Sequence, residues 1–229
     1  MLELNSFKSS TKRSRDQLLS DIEKLGGMVQ CITTRENIFY CVDILRENVA
    51  QGLDIIAETV FDPLYPDEEI EESKDVIRWS ASEMLGAVIS RDVAQLAAFS
   101  GSPLSNHHFC PETEIDKLNR SMLLDFKRQQ FFGPNCLIAG AGIDHATLVG
   151  LVKERFSQLP ASSPSYVPRK PSIYTGGLQT SERELKEPFT RVCIGFKCGG
   201  WSDDSLVGLC VLQTLLGGGS SFSAGGPGT

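Results

Sequence analysis

Residues 16–43 read DQLLSDIEKLGGMVQCITTRENIFYCVD and carry the clearest secondary-structure signals of the chain. Residues 16–25 predict an amphipathic helix, because apolar residues recur about one turn apart and Gly26-Gly27 supplies a C-terminal stop. Residues 28–34 and 37–43 are alternating segments with many β-branched and aromatic residues, which predict an antiparallel strand pair. The stretch therefore predicts a helix–strand–strand unit.

Beyond this unit the sequence predicts further helices separated by turns. A second amphipathic helix covers residues 49–60 and stops at Asp62-Pro63, and a third opens at Pro66 and runs to about residue 84. Up to residue 159 the remaining predictions are a short helix at 92–99, a loop at 100–111, a helical region at 112–132, a short buried strand at 136–141 and a helix at 144–156. We interpret residues 1–159 as one domain of the α/β (α+β) class.

The C-terminal part of the chain has a different composition. Residues 160–189 hold five prolines among serines and charges, which is typical of a linker. A strand at 191–197 and a helix from Ser202 to Leu216 follow. Because one strand and one helix cannot bury a core, either residues 190–229 begin a second, similar domain or the last forty residues pack on the first.

Bulk composition narrows the possible functions. With 41% hydrophobic and 22% charged residues the chain has the composition of an ordinary globular protein, and no apolar run reaches the roughly 20 residues of a membrane span. The net charge of -7 argues against a nucleic-acid surface. Seven scattered cysteines favour a reducing compartment over a disulfide framework. The basic stretch 9–15 resembles a transit peptide, but acids follow it closely, and we interpret it as the start of a folded element.

Several features could suggest a metal or nucleotide site. His107 and His108 are adjacent and have no carboxylate at a ligand spacing, so they do not predict a metal site. Gly140-Ala141-Gly142 lies between a predicted strand and helix, but His145 occupies the third glycine position of a dinucleotide fingerprint, so we interpret these glycines as a tight turn and His145 as an exposed first-turn residue. The acidic run 67–72 is interpreted as a solvated face at the positive end of a helix.

Residues 215–229 read LLGGGSSFSAGGPGT and hold six of the chain's 21 glycines. Glycine and Pro227 prevent a helix or strand from continuing here. The composition predicts a flexible loop that follows a helix and presents itself to a ligand or partner. The alternative, a simple connection, rarely needs this much glycine.

Several motifs occur together in one collinear order that resembles the pitrilysin-type (M16) zinc peptidase family. They are Phe7-Lys8-Ser9-Ser10-Thr11, Leu25-Gly26-Gly27, Arg35-Glu36-Asn37, Tyr174-Thr175-Gly176-Gly177 and the segment from Leu212 to Gly228. The resemblance covers essentially the whole chain. It implies two similar domains, each a mixed sheet with packed helices.

The resemblance also implies a non-catalytic subunit. Active members bind zinc through a His-x-x-Glu-His helix and a distal glutamate. Here Glu3 takes the middle-glutamate position, Leu4 the second histidine and Ser80 the distal glutamate, with Glu83 nearby. None of the zinc ligands is kept, so we expect no cofactor in this chain and zinc in a partner beta subunit.

The family further implies a mitochondrial role, in the matrix or on the matrix side of the inner membrane. The expected function is recognition of arginine-bearing presequence peptides within a heterodimeric peptidase. Alternatives are a core subunit of the cytochrome bc1 complex, an active zinc peptidase or a non-functional fragment. The expected substrate-binding residues are those of the final loop: Gly217, Gly218, Gly219, Ser220, Ser221, Phe222, Ser223, Ala224, Gly225, Gly226, Pro227 and Gly228.

Comparison with the family pattern also leads us to expect a fragment. The strand that precedes the motif helix in the family has no counterpart here, and the family continues beyond the position of Thr229. Residues 190–216 are similar to a second copy of such a strand–helix opening.

Overall fold

The computed structural model describes residues 1–83, 86–181 and 190–217. It contains eight helices and two strands within these ranges: α1 (Arg15–Lys24), β1 (Met28–Thr33), β2 (Ile38–Asp43), α2 (Val49–Phe61), α3 (Asp67–Ser82), α4 (Gly86–Ala98), α5 (Glu112–Ile115), α6 (Arg120–Gln130), α7 (His145–Arg155) and α8 (Leu206–Leu215). Short 3-10 turns occupy Glu3–Asn5, Arg46–Asn48, Pro103–Ser105 and Gly133–Asn135. The predicted α+β class is confirmed. No helix among these residues is long and apolar enough to cross a membrane.

The predicted helix–strand–strand unit is confirmed. β1 and β2 pair antiparallel in a register that sets Met28 opposite Asp43 and Thr33 opposite Ile38. The turn is closed by the Thr34 N–H, which donates to the Asn37 carbonyl at 2.9 Å. The sheet of the described residues has only these two strands, so it is smaller than the mixed sheet that the resemblance implied.

Helix starts are fixed by side-chain caps. Ser14 and Gln17 form a reciprocal capping box at α1. The side chain of Asn119 accepts from the Met122 N–H at α6, and that of Asp144 accepts from the Thr147 N–H at α7. Each cap satisfies an amide that has no partner within its helix.

The core consists of two clusters in the N-terminal part of the chain. The first lies where α1 and α2 meet the hairpin and contains Leu18, Ile22 and Ile55, with Phe7, Leu25 and Val29 against it. The second joins α3 and α6 and contains Tyr65, Ile70 and Leu123, with Met1, Leu2 and Leu124 against it. Residues 1–14 thus pack into both clusters, as the sequence interpretation of a folded start expected.

Two helix predictions need correction. The helical region predicted at 112–132 is two helices, because Asn119 adopts an extended conformation and caps α6 instead of continuing α5. The helix predicted at 92–99 begins earlier, at Gly86. The acidic run at the start of α3 is not wholly solvated either, since Glu69 is buried and accepts from the Ser9 hydroxyl at 2.5 Å.

Both strands predicted in the second half of the chain are wrong for this structure. Residues 136–140 and 190–200 have no regular secondary structure. A strand needs a neighbour to pair with, and the sheet of the described residues contains only β1 and β2. The proposed domain boundaries at 159/160 and 189/190 stay predictions, and residues 182–189 of that linker lie outside the described residues.

Candidate functional site

A long cavity of about 2050 Å³ runs beside the hairpin. Residues 38–44, which include all of β2, line one side, and residues 135–141 line another. The apolar stripe of α2 contributes Val49, Leu53, Ile56 and Val60. The cavity is therefore bounded by two extended pieces of backbone and one apolar helix face.

Three of the four positions compared with the zinc site line this cavity: Glu3, Leu4 and Ser80. Glu83 is not part of the lining. One carboxylate oxygen of Glu3 accepts from the Thr33 N–H at 3.2 Å and also from the Thr33 hydroxyl. Leucine and serine at the other two positions offer neither an imidazole nor a carboxylate. Within the described ranges, no three His, Cys, Asp or Glu side chains lie close enough together to hold a metal ion.

A charged cluster that sequence reasoning missed lies beside the cavity. Asp92 on α4 accepts from Arg35 Nη2 at 2.8 Å and from the His108 N–H at 3.1 Å, and its second oxygen lies 2.9 Å from His107 Nδ1. Arg35 also donates to the Asn106 carbonyl at 2.8 Å. Asp92 and Arg35 are 57 residues apart, so no local pattern could have paired them.

Ionisation of Asp92 is controlled by this cluster. Partial burial disfavours the carboxylate, but hydrogen bonds from His107 and the His108 N–H and the nearby Arg35 guanidinium outweigh that penalty, so the pKa of Asp92 is lowered. The charged carboxylate ties the β1–β2 turn to α4 and to the loop that carries both histidines. We interpret this cluster as structural.

Charges along the cavity are balanced. The carboxylates are those of Glu3, Glu36 and Asp43, and the permanently basic side chains are those of Arg35, Arg169 and Lys170. The excess of negative charge in the chain as a whole is therefore not located along this cavity. An arginine-bearing peptide would meet no net negative field from the lining itself.

The predicted glycine turn before α7 is tight. Gly142 has φ +78, and a Cβ at Gly140 would lie 2.8 Å from Leu148 Cδ2. The positive φ of Gly142 favours glycine in this turn, which agrees with the interpretation made from the sequence. His145 is an exposed first-turn residue of α7, as predicted.

The predicted substrate-binding loop is described only at its first residue. Gly217 has φ +102, a conformation that favours glycine, and Ser220 and the other predicted residues from 218 to 228 lie outside the described residues. α8 leads into it with several apolar side chains in solvent: Val207, Val211, Leu212, Leu215 and the flanking Leu216. The loop is thus approached by a helix whose apolar surface is uncovered.

Comparison with known proteins gives a consistent result. A family model described as insulinase (peptidase family M16) matches residues 1–112, and one described as peptidase M16 inactive domain matches residues 117–224. A probable mitochondrial-processing peptidase subunit alpha-1 of Arabidopsis thaliana is 31% identical over 233 residues, covering 100% of this chain and 45% of the relative.

Two further relatives agree. A mitochondrial-processing peptidase subunit alpha of Solanum tuberosum is 32% identical over 238 residues, with 100% of this chain and 45% of the relative covered. The subunit of the same name from Bos taurus is 29% identical over 239 residues, with 96% and 46% covered. The chain spans about half the length of the curated relatives it matches.

Proposed function

The chain belongs to peptidase family M16, and on that premise we propose that it is a substrate-recognition, non-catalytic subunit of the alpha type in a mitochondrial presequence peptidase. The observation that carries the proposal is collinear similarity, along essentially the whole chain, to several processing-peptidase alpha subunits. The partner is a beta subunit of the same family that carries the zinc. The location is mitochondrial, in the matrix or on the matrix side of the inner membrane.

The chemistry of the cavity supports a non-catalytic role. Zinc-dependent peptide hydrolysis needs about three protein ligands and a carboxylate that activates the metal-bound water. Leu4 and Ser80 cannot act as such ligands, and the Glu3 carboxylate is engaged by Thr33. A second chain must therefore supply the hydrolytic machinery in this proposal.

The glycine-rich residues 217–228 are assigned to capture of the peptide. Glycine leaves backbone N–H and C=O groups unshielded by side chains, so such a segment can bond to the main chain of an extended peptide without demanding one sequence. This suits presequences, which share arginines more than a motif. The net charge of the chain is -7, and this negative charge raises the rate of encounter with such peptides more than it raises their final affinity.

Co-purification and turnover test the proposal together. The chain is co-expressed with an M16 subunit that has an intact His-x-x-Glu-His helix, and cleavage of an arginine-bearing presequence peptide is measured for each chain and for the pair. We expect a stable pair, and activity only when the zinc-bearing chain is present. Turnover by this chain alone, with tightly bound zinc, would overturn the non-catalytic assignment.

Loop variants separate recognition from assembly. The double variant Gly225→Val/Gly226→Val should weaken binding of a labelled presequence peptide to the pair and leave the pair intact. Ser202→Val, a substitution that lies before α8 and outside the loop, is the control and should leave peptide binding unchanged. A peptide with its arginines replaced by glutamine should bind less well to the unmodified pair. Equal binding of both peptides, or no effect of the loop variant, contradicts the recognition role. Migration of the chain with the bc1 complex on a native gel would instead favour the core-subunit alternative.

A further inference from the structure

The outer edge of β2 faces the cavity with open backbone groups. The Thr34 N–H donates to the Asn37 carbonyl at the turn, and from there the pairs of the ladder alternate between hydrogen-bonded and non-bonded. The N–H and C=O groups of Ile38, Tyr40 and Val42 therefore point away from β1. Among the described residues, these three make no backbone hydrogen bond outside the hairpin. An open edge of this kind is a template for another strand.

An apolar helix face lies beside this edge. A Cβ at Gly52 of α2 would lie 3.4 Å from Val42 Cγ1, so the inner face of β2 lies on that helix. Leu53, Ile56 and Val60 continue the apolar stripe of α2 along the cavity. Side chains alternate between the two faces of a sheet, so a strand added to β2 would direct every second side chain toward this stripe. The site therefore favours a chain with apolar residues at alternate positions.

The charges around the cavity favour a neutral ligand. The Arg35 guanidinium is paired with Asp92 at 2.8 Å. Asp43 lies at one end of β2, and Arg169 lies near the turn at the other end, where it donates to the Glu36 carbonyl. A ligand with a net charge of either sign would meet like charge in part of the cavity and would lose hydration there. An uncharged ligand incurs neither cost.

A polypeptide fits this site better than a lipid does. An acyl chain would cover the edge groups of β2 without bonding to them, and burying unpaired backbone groups costs free energy. An extended peptide can bond to the same groups. The six residues of β2 span about 17 Å. The cavity volume of about 2050 Å³ exceeds the roughly 300–1,000 Å³ of common small-molecule pockets, so a peptide of that length can enter.

We propose that the cavity binds an extended, uncharged peptide segment, which adds to the edge of β2 as an antiparallel third strand. Backbone hydrogen bonds to Ile38, Tyr40 and Val42 hold it, and the apolar stripe of α2 selects apolar side chains at alternate positions. The antiparallel direction follows because it is the more stable pairing per residue. This ligand differs from the arginine-bearing peptide assigned to residues 217–228, so the inference does not depend on the proposed function.

Peptide binding to the full chain tests the proposal. The probe is a fluorescein-labelled hexapeptide of alternating valine and threonine with blocked ends, which matches the six residues of β2. The control peptide has the same composition with its valines in one block. Anisotropy titrations should give at least ~10-fold tighter binding for the alternating peptide, because only that peptide places all its valines on one face of a strand. Equal binding of the two peptides overturns the proposal.

Methylation of the peptide backbone separates strand addition from simple adhesion of apolar side chains. In the antiparallel arrangement the residues opposite Ile38, Tyr40 and Val42 are the valines, so the valine N–H groups donate to β2. A probe with N-methylated valines should bind at least ~10-fold more weakly than a probe with N-methylated threonines, because it loses these donors. Equal effects of the two methylation patterns would contradict pairing with β2.

A matched pair of protein variants tests the edge itself. Ile38→Pro removes one edge N–H at the first residue of β2, a position where a strand tolerates proline. Ile38→Ala shortens the same side chain and keeps the donor. The probe should bind about 5-fold more weakly to Ile38→Pro than to Ile38→Ala, as expected for one lost hydrogen bond. Identical affinities would show that the edge does not donate to the peptide.

Hydrogen exchange of the unsubstituted chain locates the bound probe. A saturating concentration should slow exchange of the Ile38, Tyr40 and Val42 amides at least ~10-fold, whereas Phe39 and Cys41, whose N–H groups point toward β1, should be unaffected. Unchanged exchange at the first three residues would overturn the proposal. Palmitate is the competing apolar ligand, and displacement of the probe by palmitate at equal affinity would show that the cavity binds lipid instead.

Discussion

Lys127 shows how one buried charge is tolerated in this molecule. Its ammonium donates to the Val60 carbonyl at 2.5 Å and lies 3.5 Å from the Thr59 carbonyl, at the C-terminal end of α2. The rings of Tyr65 and Phe131 lie 5.6 and 5.5 Å from it. Carbonyls and ring faces stabilise a cation, but burial, opposed only by attraction to Asp62, lowers the pKa of Lys127 to about 8.

This pKa predicts a pH-dependent stability. The folded state holds the proton less tightly than the unfolded chain, so below pH 8 the full burial penalty is present, and it is relieved as pH rises toward the unfolded pKa. We expect the free energy of unfolding to rise relative to Lys127→Met by on the order of 3 kcal/mol across that window. Urea titrations at pH 7, 8, 9 and 10 measure this difference.

The comparison with Lys127→Met is needed because other groups act in the opposite direction. Burial raises the pKa values of Cys31, Cys110, Cys136, Tyr40 and Tyr65, so their ionisation in the unfolded chain lowers stability at alkaline pH. Lys117→Met, which removes an exposed lysine, is the matched control. If the difference in the free energy of unfolding between the wild type and Lys127→Met stays constant with pH, the lowered pKa of Lys127 is contradicted.

Arg13 and Glu58 form an ion pair in which the carboxylate is buried. Arg13 donates to Glu58 through Nε at 3.0 Å and Nη2 at 2.5 Å, and the Ser10 hydroxyl donates to the same carboxylate. Arg13→Met would leave the buried Glu58 without its cation, and we expect the loss of about 3–5 kcal/mol that follows when one partner of a buried pair is removed. Chemical denaturation measures it.

Lys12→Met is the matched control for that substitution. Lys12 is 60% exposed and pairs with Asp62 at 2.6 Å, so its loss should cost no more than about 1 kcal/mol. The double variant Arg13→Met/Glu58→Met should regain much of the stability lost by Arg13→Met alone, because no buried charge is left unpaired. Equal losses in Arg13→Met and Lys12→Met would show that burial of Glu58 does not matter.

At the level of elements, the capping box of α1 offers a local test. Ser14 accepts from the Gln17 N–H at 3.3 Å, and Gln17 Oε1 accepts from the Ser14 N–H at 3.2 Å. Ser14→Ala should lower the free energy of unfolding by about 1 kcal/mol, since it leaves an amide of the first turn without its partner. Ser20→Ala, inside the same helix, should be neutral or slightly stabilising. A thermal midpoint that is lower for Ser14→Ala than for Ser20→Ala would confirm the contribution of the capping box, and the reverse order would contradict it.

Local signals predicted the elements that depend on local interactions. The helix–strand–strand unit was correct because its helix has its own cap and stop, and its strands are each other's neighbours. The predicted strands at 136–141 and 191–197 failed because a strand also requires a distant partner, which periodicity cannot supply. The same reason hid the contact of Arg35 with Asp92 and the partial burial of the acidic run, where Glu69 is held by a serine 60 residues away.

The candidate site was predictable only in part. The collinear motifs placed Glu3, Leu4 and Ser80 at the positions that correspond to zinc-site residues in active family members. These three residues do line one cavity. The engagement of Glu3 by Thr33 depends on how the N-terminal turn packs on β1, and the sequence has no signal for that contact. The assignment of residues 218–228 stays a prediction, since it rests on composition and resemblance.

At the scale of the whole molecule, packing is unequal between the two parts of the chain. Both core clusters lie between Met1 and Leu124, whereas Trp201 and the apolar side chains of α8 are mostly in solvent. Exposed apolar surface of this extent marks a place where something docks.

Metal content is the whole-molecule property that separates the non-catalytic role from an active peptidase. Of the three cavity residues that correspond to zinc-site positions, Glu3 has a carboxylate, whereas Leu4 and Ser80 do not. A ligand that binds only the folded state raises the thermal midpoint, and the stabilisation grows with the logarithm of the ligand concentration divided by its dissociation constant. We therefore expect dialysed protein to retain far less than one zinc per chain, and its midpoint to be the same in EDTA and in added zinc. All seven cysteines are free thiols that can bind zinc adventitiously, so a protein with blocked thiols is the control. One tightly held zinc per thiol-blocked chain, with a raised midpoint, would mean that this chain builds a metal site from other residues.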